Sequence, residues 1–95
     1  MLKKTRERYN TVLKGFRANR IHQWLDEWEI LMLDCIKYDL PEIQQGLWLT
    51  DLARLFKPIS EFCYEQFRKD ADDEDKSDPS NFRTVARELR EKLEQ

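Results

Sequence analysis

Apolar residues recur at helical spacing along almost the whole chain. From Leu2 to Phe16, the residues Leu2, Tyr9, Val12, Leu13 and Phe16 share one side of a helical wheel, and basic residues occupy the rest. Gly15 marks the end of this segment, and Asn19, a good N-cap, opens the next. Between about Arg20 and Tyr38, a broad stripe is formed by Ile21, Trp24, Leu25, Trp28, Leu31, Met32, Cys35 and Ile36, with Gln23, Asp26, Glu27, Asp34 and Lys37 elsewhere. Ile30 and Leu33 project from the far side of this wheel, among the charges. They must meet something other than the partner of the main stripe.

Asp39-Leu40-Pro41 stops the second helix, because the residue before a proline is pushed out of the helical region. Pro41 to Gln45 predicts one short turn ending at Gly46, and a third helix follows with Leu49, Leu52, Leu55 and Phe56 clustered and Trp48 at the stripe's edge. Pro58 removes a backbone donor, which predicts a kink or a fresh start there. Ile59, Phe62, Cys63 and Phe67 then repeat at helical spacing to about Lys69. The stretch from Asp70 to Asp78 is rich in acids and has no large apolar group to bury, so it predicts a solvated, mobile loop. Asp78-Pro79 starts a last amphipathic helix carrying Phe82, Val85, Ala86, Leu89 and Leu93. The pattern predicts an all-α fold, a compact bundle of about five helices in one domain. Its parts are a basic amphipathic helix (1–18), a helical core (19–69), the acidic loop (70–78) and a C-terminal amphipathic helix (79–95).

Composition supports this reading: two Gly and three Pro with 38 % charged residues suit helices better than sheets. Cys35 and Cys63 are too few for a disulfide framework and sit at apolar positions, which predicts buried thiols in a reducing, intracellular compartment, cytosol or nucleus, with a cytoplasmic location the expectation adopted. The longest apolar run, Ile30 to Leu33, falls far short of the ~20 residues of a membrane span, so no membrane partner is expected. The basic amino end lacks the apolar stretch of a secretory signal. The net charge of −2 hides an asymmetry. Residues 1–20 hold seven bases (Lys3, Lys4, Arg6, Arg8, Lys14, Arg17 and Arg20) against Glu7, a balance of +6, which leaves −8 on the remainder.

Candidate chemistry is sparse. The single histidine, His22, has no cysteine or serine partner at a fixed spacing, and its simplest role is that of a boundary residue on the second helix. His22, Cys35 and Cys63 form no close pair of metal-ligand type. Gly15 and Gly46 lie too far apart to build a phosphate-cradling loop. The expectation is therefore a protein with no catalytic residue, metal, cofactor or small-molecule substrate. The basic first helix offers a candidate nucleic-acid contact through its seven cations, unless they form a solvent face or dock on the acidic body. Trp24 and Trp28, one turn apart, read as core anchors. Ile30, Leu33 and Trp48 imply either a second helix sandwiched between layers or a contact surface between molecules.

The run Ile21-His22-Gln23-Trp24-Leu25-Asp26-Glu27-Trp28-Glu29, followed by Tyr38-Asp39-Leu40-Pro41-Glu42-Ile43, an apolar helix and Pro58, resembles the capsid region of Gag polyproteins from copia-type LTR retrotransposons, the fungal ones in particular. In that family a helix with two tryptophans four apart is followed by a Leu-Pro turn, an apolar helix, an acidic variable insert and a basic amphipathic helix. The similarity runs from about Arg17 onward. It implies the amino-terminal lobe of a capsid protein, an all-α bundle that assembles into a shell around RNA, with Trp24, Trp28, Leu40 and Pro41 fold-defining rather than catalytic. The second lobe and the cysteine-histidine knuckle of such polyproteins have no counterpart in this sequence. The leading expectation is a structural assembly domain whose partner is itself, a homo-oligomer held by weak contacts. The alternatives are an RNA-binding module acting through the first helix and a helical adaptor that takes a partner's helix in a groove.

Overall fold

The computed structural model describes residues 2–93, and within them the chain is all helix and turn, with no strand. Five α-helices run in order: α1 (Leu2–Lys14), α2 (Ile21–Lys37), α3 (Leu47–Phe56), α4 (Glu61–Ala71) and α5 (Phe82–Leu93). Single 3-10 turns at Ala18–Arg20, Pro41–Ile43 and Pro79–Asn81 lead into α2, α3 and α5. The expected bundle of about five helices is thus the observed architecture. Glu94 and Gln95, assigned to the last helix from sequence, lie outside the described residues.

Helix α2 is central. Its inner residues Trp24, Trp28, Leu31 and Cys35, spaced by four, three and four, are all buried, as that spacing requires. The helices α1 and α5 pack against α2, while α3 and α4 form a helical hairpin. The bundle measures 38 × 29 × 19 Å, so its thin dimension admits two helix layers at the usual spacing of about 10 Å.

Seven aromatic rings connect the helices. Trp28 stacks on Trp24 at 6.1 Å between centroids and on Trp48 at 6.0 Å, and meets the edge of Phe82 at 6.2 Å. Phe16 lies edge-on to Trp24 at 4.9 Å and touches Phe56 at 5.1 Å; Phe56 in turn meets Phe67 at 5.7 Å. Trp24 donates its indole N–H to the Val12 carbonyl in the last turn of α1 (2.7 Å), a position where the helix itself leaves carbonyls underused. Trp48 donates to the Ser77 carbonyl at 2.7 Å.

The turns explain the punctuation. Helix α2 ends in a Schellman-type closure: the Leu40 N–H donates to the Cys35 carbonyl (2.9 Å) and the Asp39 N–H to the Ile36 carbonyl (3.1 Å). Asp39 takes the left-handed conformation this needs, with φ 53°. Leu40 then drops into the core and Pro41 begins the following 3-10 turn, where its missing N–H costs nothing. At Pro58 the chain makes the fresh start expected of it: Ser60 caps α4 by accepting the Cys63 N–H at 3.2 Å.

The acidic segment differs from its sequence reading in two respects. Asp70 and Ala71 belong to α4. The turns beyond them are exposed, as expected, but their backbone is held. The Asp73 carboxylate accepts the N–H groups of Asp75 and Lys76, both at 2.9 Å, Asn81 donates to the Asp75 carbonyl at 2.8 Å, and Trp48 holds Ser77. The segment has no apolar group to bury, yet it supplies an acceptor to a core indole.

Gly46 is the one residue whose lack of a side chain the fold demands. It precedes α3 with φ 77°, and a Cβ there would fall 2.3 Å from the Ala71 carbonyl oxygen. Both faults act together, and neither the backbone of α4 nor the left-handed turn can yield cheaply. Gly46→Ala is expected to destabilise the domain by at least about 2 kcal/mol, a fall in Tm of roughly 10 °C in thermal denaturation.

Candidate protein-contact surface

The residues of α2 directly opposite its core seam are Asp26, Ile30, Leu33 and Lys37, which repeat the four-three-four spacing two positions further along. Two positions turn about 200° on a helix, which puts this second seam on the outer side. The side chain of Ile30 is 62 % exposed and that of Leu33 47 %. The helix is therefore not sandwiched between layers at this point: both residues face outward, as a contact surface requires.

Ion pairs frame the seam. Arg90 of α5 reaches across to both Asp26 (2.7 Å) and Glu29, and Arg8 of α1 pairs with Asp34 at 2.6 Å. These charges fix the neighbouring helices along the two flanks of α2 and leave the apolar strip uncovered between them. Asp26 remains 73 % exposed despite its contact with Arg90, so its carboxylate has further acceptor capacity.

Trp48, grouped with Ile30 and Leu33 as a candidate contact from sequence, is a core residue instead. It is 1 % exposed, stacked on Trp28 and hydrogen-bonded to Ser77. At the edge of the α3 stripe, its large indole reaches the gap between α2 and the acidic turns, and burial there wins. Phe62 is the converse correction. It shares a helical repeat with Cys63 and Phe67, but only those two turn inward; Phe62 is 67 % exposed, with the Lys92 ammonium 5.0 Å from its ring centroid. Ile36, placed in the core stripe from sequence, lies at its rim and is 38 % exposed. Trp24, Trp28 and Leu40, expected to define the fold, are buried, whereas Pro41 acts through its backbone from an exposed position.

The seven cations of the amino end divide. Arg6 pairs with Glu42 and Arg8 with Asp34, so these two dock α1 onto the acidic body rather than forming a free basic face. Arg17 donates to the carbonyls of Lys14 (3.0 Å) and Phe16 (2.7 Å), and Arg20 to the Gln23 side chain at 3.0 Å. Lys3, Lys4 and Lys14 are exposed, with the acid Glu7 exposed among them. A second cationic group gathers around Tyr64 between α3 and α4. There Lys57 and Arg68 lie 5.0 and 5.6 Å from the ring centroid, while Arg54 is held by Asp51 at 2.5 Å.

The underside of α1 is more polar than the periodicity suggested. Tyr9 is buried and donates its hydroxyl to Asp51 at 2.5 Å. Burial, then the bond to that carboxylate, pushes the phenol far above its ordinary range. Burial likewise pushes the Cys35 thiol up to about 12, with Asp34 and Glu42 adding to the effect and Arg8 opposing it. Cys35 is thus a protonated packing residue. His22 is exposed at the start of α2 and stands beside neither buried cysteine. Among the described residues, no three histidine, cysteine or acidic side chains converge as a metal site would need, and no helix is long and apolar enough to cross a membrane.

Two outcomes follow from the docking of α1. Arg6→Gln and Arg8→Gln should each lower stability by up to about 1 kcal/mol, a few degrees in Tm, whereas Lys3→Gln and Lys4→Gln should leave Tm unchanged. In the alkaline range, Tyr9 and Cys35 stay protonated in the folded chain but ionise near their ordinary values of 10.0 and 9.0 once unfolded. Their contribution is therefore complete below about pH 8.5. It is lost progressively above pH 9, by up to about 1.4 kcal/mol per pH unit for each group. Urea titrations between pH 7 and 11 should show this decline, and Tyr9→Phe should reduce its slope above pH 10.

Comparison of the chain with protein families, with curated proteins and with solved structures finds no match.

Proposed function

We propose that the chain is a structural assembly domain that works by contact between copies of itself, as the Gag capsid resemblance implies, in the cytoplasm. The observation that carries this reading is the outward apolar pair Ile30 and Leu33 on the helix that also organises the core. A monomer gains nothing from two large aliphatic side chains in water at successive turns of its central helix, whereas a contact surface needs them. The ion pairs on either flank support the reading because they hold α1 and α5 beside the aliphatic pair without covering it. Such a contact is small, and repetition over many copies supplies the strength that a single one lacks. The division of the amino-terminal cations favours protein over nucleic acid as the partner, since Arg6 and Arg8 are committed within the fold.

Sedimentation velocity from about 10 µM to about 1 mM, with and without RNA, tests this, because weak single contacts fall in that range. The expected result is a weight-average mass that rises above 11.6 kDa with concentration in the absence of RNA. A chain that remains monomeric throughout overturns the proposal. A rise that needs RNA and disappears in Lys3→Gln, Lys4→Gln, Lys14→Gln assigns the first helix to nucleic-acid binding instead.

A further inference from the structure

The order of residues along the outer seam of α2 is charge, apolar, apolar, charge: Asp26, Ile30, Leu33, Lys37. This order has a consequence for two copies meeting face to face. If two α2 helices lie antiparallel about a twofold axis passing between Leu31 and Met32, each position finds its complement. Ile30 faces Leu33 of the second copy, and Asp26 faces Lys37 of the second copy, at both ends. A parallel arrangement in the same register sets Asp26 against Asp26 and Lys37 against Lys37. The charges therefore choose the antiparallel pairing and fix its register, because a slip by one turn separates each carboxylate from its ammonium and brings an aliphatic side chain against a charge.

We infer that the outer seam of α2 is an isologous contact in which a second copy of this chain docks antiparallel, Ile30 on Leu33 and Asp26 on Lys37. The inference rests on the self-association proposed above and specifies its surface. Three features of the fold fit it. Asp26 is largely exposed, and its partner Arg90 is also held by Glu29, so the carboxylate can take a second cation. The Lys37 side chain is exposed in the last turn of α2, its ammonium 5.4 Å from the Tyr38 ring centroid, and among the described residues it forms no ion pair with a carboxylate. The seam spans three helical turns, about 16 Å from Asp26 to Lys37, a contact of sub-standard area that predicts weak pairing rather than an obligate dimer.

Charge reversal with rescue tests the register. Lys37→Glu alone and Asp26→Lys alone should each weaken dimerisation on the order of tenfold by placing like charges together at both ends. The double variant Asp26→Lys, Lys37→Glu restores opposite charges and should recover most of the loss. Ile30→Glu with Leu33→Glu should abolish it. Far-UV circular dichroism and Tm establish that each variant is folded. If a variant unfolds, mixing separately folded Asp26→Lys and Lys37→Glu chains provides the same check, since both ends of the mixed dimer carry an attractive pair while each homodimer has none. Self-association of the unmodified chain that survives Ile30→Glu, Leu33→Glu, or that is not rescued by the double reversal, overturns this surface and leaves the assembly reading standing. Absence of self-association up to about 1 mM overturns both.

Discussion

The burial of Trp28 between three other rings is the constraint on which the rest of the structure depends. Its neighbours are Trp24 from its own helix, Trp48 from α3 and Phe82 from α5, and the chain of contacts continues through Phe16, Phe56 and Phe67. Phe16 follows α1 and Phe67 belongs to α4, so all five helices are tied to one aromatic cluster. Rings of this size bury large apolar areas in few residues, which suits a short chain with little core to spare. Their geometry also fixes the angles at which helices meet, because stacked and edge-on contacts tolerate less sliding than aliphatic ones.

Burying indoles imposes a second condition, that their N–H groups find acceptors. Two solutions appear, and both use backbone carbonyls at or beyond helix ends. Trp24 takes one from the end of α1, and Trp48 takes one from the acidic turns. The acidic turns, which bring no large apolar group to the core, are thereby attached to it. The same principle shapes the contact of α1 with α3, where a buried tyrosine hydroxyl and a carboxylate satisfy each other.

With the inner seam of α2 occupied, the aliphatic pair Ile30 and Leu33 of the outer seam is left exposed among the described residues. The helices on its flanks are held by arginines reaching to carboxylates, so they stand beside α2 and do not cover it. In the assembly proposed above, the aliphatic pair would contribute attraction and the terminal charges orientation. Interfaces built this way are specific before they are strong.

Periodicity made the helices legible, together with the Leu-Pro stop, the restart at Pro58 and the outward direction of Ile30 and Leu33. Each depends on backbone geometry within a few turns, and an α-helix turns by a fixed angle whatever surrounds it. The roles of Trp48 and Phe62 were not legible, because each sits where the helical repeat is compatible with either side, and only the gap available between helices chose. The pairing of Arg6 with Glu42 and of Arg8 with Asp34 joins positions 36 and 26 residues apart. A charge in the sequence carries no record of its distant partner, so whether a basic residue serves a ligand or the fold was decided when the helices packed.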